Sequence, residues 1–182
     1  MKISSGKFRG RVITVPADIR PVSLKVKKSC FDILGDEIID KKVLDLFAGS
    51  GSIGIEALSR GAKSASFIEL GRGPIKAIKS NVSRFCQECD FVIYQKDAFA
   101  AIKDFYGYKE RFDVIFLDPP YYKEMLIKAL QLLEEYDILA RSGYIVAFCY
   151  EKDSFLEAGE IFSLILNRKY GQTRLLIYRK DA

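Results

Sequence analysis

The sequence predicts an α/β protein: a doubly wound, mostly parallel, seven-stranded sheet with helices on both faces, preceded by a small basic extension. Three observations carry that expectation. From residue 43 onward, short apolar runs alternate with segments whose apolar residues recur every three to four positions. The first of those runs stops in glycines that open a helix. The positive charge of the 182-residue chain, net +5 from 29 bases and 24 acids, collects at one end. With 49% of residues hydrophobic, a core can form and whole-chain disorder is excluded. Residues 1–35 are read as the extension with its first helix, and 36–182 as the main domain.

Met1 to Lys28 holds eight bases (Lys2, Lys7, Arg9, Arg11, Arg20, Lys25, Lys27, Lys28) against one acid, Asp18, so this segment carries +7 and the remainder −2. Phe8, Val12, Ile13 and Val15 interleave with the bases, and Gly6 and Gly10 supply turns, which predicts a short hairpin or arm. A basic arm beside a near-neutral domain is a phosphate-binding footprint, favoured here over a solvated leader. Pro21 is placed to open the first helix. In it Val22, Val26, Cys30 and Ile33 recur at helical spacing, and Lys25 and Lys28 give a basic outer face.

In the main domain, Val43 to Phe47 is a strand and Ile53 to Arg60 a helix ended by Gly61. Ala65 to Leu70 is the next strand, followed by a helix marked by Ile75, Ile78, Val82 and Phe85. Phe91 to Gln95 is a strand and Ala98 to Phe105 a short helix. Phe112 to Leu117 lacks alternation, so it is a strand buried on both faces. Leu126, Leu130 and Leu133 mark a helix, Tyr144 to Cys149 a strand, and Ser154 to Glu160 reads as helical. Ile161 to Leu166 and Arg174 to Tyr178 are the last two strands, joined near Tyr170-Gly171-Gln172.

Missing residue types exclude some chemistry. The chain has no histidine, so no imidazole base, no Ser-His-Asp system and no His metal ligand. Cys86-Gln-Glu-Cys89 has the C-x-x-C spacing but no second pair to complete a zinc site, and it ends a helical pattern where a redox motif would open one; these read as ordinary semi-buried cysteines. The first residues lack an apolar signal region and no apolar run reaches the ~18 residues of a membrane span, so a cytoplasmic protein without a membrane or metal partner is expected.

Gly49-Ser50-Gly51-Ser52-Ile53-Gly54 fits G-x-G-x-x-G between a strand and a helix, and Glu69 lies twenty residues after Gly49 at the next strand's end. That is the layout for a nucleoside cofactor, with backbone approaching the ligand and a carboxylate on the ribose hydroxyls. The motif alone does not separate NAD from S-adenosylmethionine. Asp45 favours the latter: a carboxylate just before the loop repels a pyrophosphate and suits a sulfonium ligand carrying an ammonium group. Asp97, ending the third strand, is either an acceptor for an adenine amine or a plain strand-end aspartate.

Asp118-Pro119-Pro120-Tyr121 ends the most buried strand, at the edge of a parallel sheet where ligands bind. The prolines stop the ladder and fix a rigid turn. The Asp118 carboxylate and the Pro119 carbonyl are placed to accept from the exocyclic amine of a base, drawing its lone pair toward a methyl donor, while Tyr121 stacks on the base.

The whole chain resembles a class I S-adenosylmethionine-dependent methyltransferase, Rossmann-like in fold, and more closely the RsmD family, which methylates the N2 amine of a guanine in bacterial small-subunit (16S) ribosomal RNA. The matching residues run from Ser5-Gly6-Lys7-Phe8-Arg9-Gly10-Arg11 through Arg20-Pro21 and Phe31 to Asp45-Leu46-Phe47-Ala48-Gly49-Ser50-Gly51. They continue at Gly54-Ile55-Glu56-Ala57-Leu58-Ser59-Arg60-Gly61, Phe67-Ile68-Glu69, Asp97-Ala98 and Asp118-Pro119-Pro120-Tyr121, and end near Gly171-Gln172-Thr173. The resemblance implies a cofactor site along Asp45, Phe47, Ala48, Gly49, Ser50, Gly51, Glu69, Leu70, Asp97 and Ala98. It implies catalytic base contacts at Asp118, Pro119, Pro120 and Tyr121, and RNA contacts at Lys7, Arg9, Arg11, Arg20, Lys25 and Lys28. Where the family usually shows threonines and an Asp-Arg-Val-Arg-Glu-like run after Arg-Pro, this chain reads Val22-Ser23-Leu24-Lys25-Val26-Lys27-Lys28.

The resulting expectation is methyl transfer from S-adenosylmethionine to a guanine N2 amine by direct in-line displacement, with ribosomal RNA or the small ribosomal subunit as partner. An N6-adenine DNA or RNA methyltransferase would use the same tetrapeptide. An NAD-dependent oxidoreductase would explain the glycines and Glu69 but not Asp45 or Asp118, and a non-enzymatic ribosome-binding factor would explain the basic arm alone.

Overall fold

Phe112 to Leu117 sends Val114 and Phe116 into one buried cluster and Ile115 and Leu117 into another. A strand apolar on both sides has to be covered on both sides, and that requirement organises the molecule. A computed structural model describes residues 1–17, 19, 21–86, 88–120 and 124–181. Seven strands form one sheet: β1 Lys42–Asp45, β2 Ser64–Glu69, β3 Asp90–Gln95, β4 Phe112–Leu117, β5 Leu139–Tyr150, β6 Phe162–Tyr170 and β7 Thr173–Lys180. Their order is β3-β2-β1-β4-β5-β7-β6. The first five are parallel, and β7 runs antiparallel to both β5 and β6. Helices α1 Leu24–Leu34, α2 Ser52–Ser59 and α3 Arg72–Phe85 supply the first cluster, and α4 Ala98–Gly107 and α5 Met125–Glu135 the second. No helix among the described residues is long and apolar enough to cross a membrane.

Several elements depart from the sequence reading: β1 ends at Asp45 rather than Phe47, β6 runs on to Tyr170 rather than ending at Leu166, and three more differ further. The first helix starts at Leu24, not at Pro21, because the Ser23 side chain accepts the Val26 N–H and caps it there. Strand β5 starts five residues early, at Leu139; a register shift opposite Phe112 and Val114, with Ser142 at φ 56°, carries the strand through Arg141-Ser142-Gly143. Ser154 to Glu160 is not helical. Ala158 bridges Ser163 and Leu164 N–H donates to the Glu157 carbonyl, while the Glu134 carboxylate accepts from the N–H groups of Glu160 and Ile161 at 3.0 and 3.1 Å. Pairing with β6 and Glu134 takes the place of the bonds a helix would have given these groups.

The N-terminal segment doubles back on itself, with Lys2 bridging Val12, and lies on the main domain. Ile3, Phe8 and Ile13 are buried in the same cluster as α2 and α3. Lys7 N–H donates to the Ser59 carbonyl at 2.8 Å and Phe8 N–H to Ser59 Oγ at 3.0 Å. Gly6 permits this: its φ is +77°, and a Cβ there would sit 1.7 Å from the Ser59 oxygen. With the segment over it, every residue of α2 is buried. The latch is electrostatic. Lys27 and Glu56, both 0% exposed, pair at 3.0 Å. Glu56 also accepts from Ser4 N–H at 2.9 Å, Ser4 Oγ at 2.6 Å, Ser5 N–H at 3.1 Å and Arg60 Nε at 3.1 Å. Burial holds the Lys27 ammonium below its ordinary range, against the raising effect of Glu56. For Glu56, burial acts upward, but Lys27 and the Ser4 donors outweigh it and hold the carboxyl low.

Candidate active site

The sheet order reverses between β1 and β4, and crevices form at the carboxyl ends of strands where connections depart in opposite directions. A cavity of about 620 Å³ opens there, well within the size that holds a small ligand. The glycine loop forms its floor. Glu69, at the end of β2, accepts from Gly49 N–H through Oε2 at 2.9 Å and from Gly71 N–H through Oε1 at 2.7 Å, so one carboxylate ties the loop to the start of α3. Asn81 of α3 donates to the Ser50 carbonyl at 3.0 Å. Gly54 lets α2 lie directly on β2: a Cβ there would come within 2.3 Å of the Phe67 ring.

Of the ten residues expected at a cofactor, Phe47, Ala48, Gly49, Ser50, Glu69, Leu70, Asp97 and Ala98 line this cavity, and Asp45 and Gly51 are not among its lining residues. Asp45 lies under the loop, fully buried. Its Oδ2 accepts from Gly54 N–H at 3.0 Å, and its Oδ1 has no partner among the described residues. Burial pushes its carboxyl up to about 7, against the lowering bond from Gly54 and with a further upward push from Glu69. Asp97 caps α4, its Oδ1 accepting from Ala100 N–H at 3.0 Å, so part of its placement is structural.

The opposite wall is Asp118, Pro119 and Pro120. Burial first, then the nearby Asp45 charge, hold the Asp118 carboxyl well above the ordinary carboxylate range, opposed by a bond from Val22 N–H. Tyr121 and Arg20 lie outside the described residues. Ile19, Pro21 and Val22 also line the cavity, a contribution from the extension that the sequence reading missed; Pro74 and Met125 were missed too. Ile19, Pro21 and Val22 lead into α1, while Pro74 and Met125 lie in the first turns of α3 and α5, and no local pattern marks them.

Lys7, Arg9, Arg11, Lys25 and Lys28 are exposed. Lys28 pairs with Asp32 at 2.6 Å. Cys86 ends α3, its N–H bonded to the Val82 carbonyl. Its thiol is pushed up to about 12 by burial and then by Cys89, which makes it a poor nucleophile. The assembled wall is therefore the glycine loop and the Glu69 carboxylate at one end, and a carboxyl beside two N–H-less prolines at the other.

Known proteins are similar to this one along the whole chain. The family model described as Conserved hypothetical protein 95 matches residues 1–179. YlbH of Bacillus subtilis (strain 168), provisionally named an rRNA methyltransferase, is 38% identical, with 99% of each chain covered. Ribosomal RNA small subunit methyltransferase D of Haemophilus influenzae is 32% identical over 98% of this chain and 93% of its own. A solved structure from Escherichia coli, provisionally named methyltransferase yhhF, superposes with a TM-score of 0.85 at 26% identity, covering 100% of this chain and 98% of that one. With the sheet order, the glycine loop and the full-length match in agreement, the chain belongs to the RsmD family, that of ribosomal RNA small subunit methyltransferase D, on the class I methyltransferase fold.

Proposed function

We propose that this protein transfers a methyl group from S-adenosylmethionine to the exocyclic N2 amine of a guanine in small-subunit ribosomal RNA. The observation that carries the reading is one cavity with the Glu69-tethered glycine loop at one end and Asp118-Pro119-Pro120 at the other. The residues fit the cofactor. Asp45 is a buried carboxyl with an orphaned oxygen and, among the described residues, no cation acting on it, and a ligand bearing sulfonium and ammonium groups favours its ionised form. Each Glu69 oxygen accepts one backbone N–H, which leaves lone pairs for ribose hydroxyls. Leu70, 65% exposed, and Ala98 offer apolar walls to an adenine.

When bound, the cofactor supplies an electrophilic methyl group. The protein's own part is orientation and charge relief. Ionised Asp118 and the Pro119 carbonyl accept the two amine hydrogens and hold the lone pair toward the donor. A raised proton affinity makes Asp118 the better acceptor for the proton that nitrogen sheds as the N–C bond forms. The names of the full-length relatives support a ribosomal RNA substrate, and the exposed bases of the extension suit its phosphates.

The test is methyl transfer from labelled cofactor to undermethylated ribosomal RNA and to small subunits, followed by nucleoside analysis. N2-methylguanosine is the expected product; N6-methyladenosine or no transfer overturns the reading. Asp118→Ala should keep cofactor affinity and lose at least ~10²-fold in turnover. The acid limb of the wild-type pH–rate profile should lie above the ordinary carboxylate range, because protonated Asp118 cannot accept.

A further inference from the structure

We infer that the outer face of α3 is a second part of the RNA-binding surface and grips the phosphate backbone flanking the target nucleotide; this rests on the ribosomal RNA reading above. Over its 14 residues α3 carries Arg72, Lys76, Lys79 and Arg84 and no acid. All four are exposed, while Ile75, Ala77, Ile78, Asn81 and Val82 face the core. None of the four forms an ion pair among the described residues, whereas Lys28, Lys42, Lys96, Lys169 and Lys180 each pair with an acid. Within the helix the arrangement is unfavourable. Arg72 sits at the positive end of the helix dipole, and Arg72–Lys76 and Lys76–Lys79 are like charges one turn apart. Arg84, in the last turn, suits the dipole, donates to Thr14 Oγ1 at 3.5 Å and lies over Phe85, but like the other three it meets no acid among the described residues; such charge is placed for an external anion.

Position supports the same conclusion. In the first turn, Pro74 lines the cavity. At the other end α3 meets the basic extension: Arg11 Nη1 donates to the Arg84 carbonyl at 3.3 Å, and the Arg11 and Arg84 guanidinium carbons stand 5.6 and 5.1 Å from the Phe85 ring centre. A 14-residue helix spans about 20 Å, so its four bases lie between the cavity mouth and Arg11 of the basic extension. The other exposed residues on this face, Gly73, Ser80 and Ser83, are small and uncharged. The face lacks the apolar centre that a protein partner would require, and its character is that of a nucleic-acid interface. Glu88 lies beyond the helix end.

The experiment compares wild type with Lys76→Gln/Lys79→Gln/Arg84→Gln. Undermethylated ribosomal RNA is titrated at several salt concentrations, beside cofactor calorimetry. If each base meets one phosphate, the log–log salt slope flattens by about 2 units, at about 0.7 per contact on a single strand. The KM for RNA rises while kcat and cofactor affinity hold. A control pair on the opposite face, Lys103→Gln/Lys109→Gln, keeps the wild-type slope. A triple variant with the wild-type slope, a control that flattens equally, or lost cofactor affinity in the triple variant overturns the inference. Wild-type protein that neither binds nor methylates ribosomal RNA overturns the underlying reading instead.

Discussion

Removing the two partners of the buried Lys27–Glu56 pair should have unequal consequences. Both side chains are fully buried, 3.0 Å apart. Glu56→Gln leaves the Lys27 ammonium with only the Lys2 and Ser52 carbonyls at 3.4 and 3.5 Å and Ser52 Oγ at 3.1 Å, and turns an amide N–H₂ toward donors on Ser4, Ser5 or Arg60. An uncompensated buried charge costs about 3–5 kcal/mol. Lys27→Met keeps the stem volume and leaves Glu56 with Ser4, Ser5 and Arg60 as donors, so the loss is nearer one charged hydrogen bond, about 1.5–3 kcal/mol. For a chain of this size about 2–4 °C accompanies each kcal/mol, so Glu56→Gln should lower Tm by roughly 6–20 °C. The assay is urea unfolding of the two single variants and the double variant near pH 7 without cofactor. The double should lose less than the sum, because removing Lys27 also removes the orphaned charge. Additivity to within about 0.5 kcal/mol, or Lys27→Met costing as much as Glu56→Gln, would refute the reasoning.

Asp45 has a carboxyl near 7 in the fold against ~3.9 in an unfolded chain, so folding takes up a proton between those values. Its stabilising contribution is full below about pH 4 and is lost as pH rises through about 7. Without cofactor, Asp45→Asn should melt above wild type near pH ~8 and respond less to pH between ~5 and ~8; equal profiles would acquit the buried carboxyl. Glu69→Ala should weaken cofactor binding roughly ten- to a hundred-fold in calorimetry, since it removes a charged acceptor and frees Gly49 and Gly71 N–H; an unchanged Kd would take Glu69 out of the site. Gly6→Ala should cost about 2–4 kcal/mol in urea unfolding, by breaking the Lys7–Ser59 bond and lifting Phe8 partly from its site; stability within ~0.5 kcal/mol of wild type would show that the close approach is relieved some other way.

Local chemistry determined much of this protein. The run Phe112 to Leu117 is apolar at every position but Asp113, so a doubly covered strand follows from its side chains alone. Gly49 to Gly54 with Glu69 twenty residues on, and Asp118 before two prolines, are spacings that a strand–turn–helix unit converts directly into one crevice, and eight of the ten expected cofactor residues do line it. Other features depended on contacts between distant residues. Lys27 sits among bases in sequence and looks like part of a solvated arm; only packing against Glu56, twenty-nine residues later, turns it into a buried latch. Ser154 to Glu160 has helical-looking composition, but Glu134 and β6 claim its backbone groups first. The charge census shows the same division. Counted along the chain, everything after Lys28 is slightly acidic, yet the fold turns the four bases of α3 to one side and joins them to Arg11 through Phe85. Sequence fixes which charges exist, but their distribution over faces is set by which side of each helix the core buries, and that is a tertiary property.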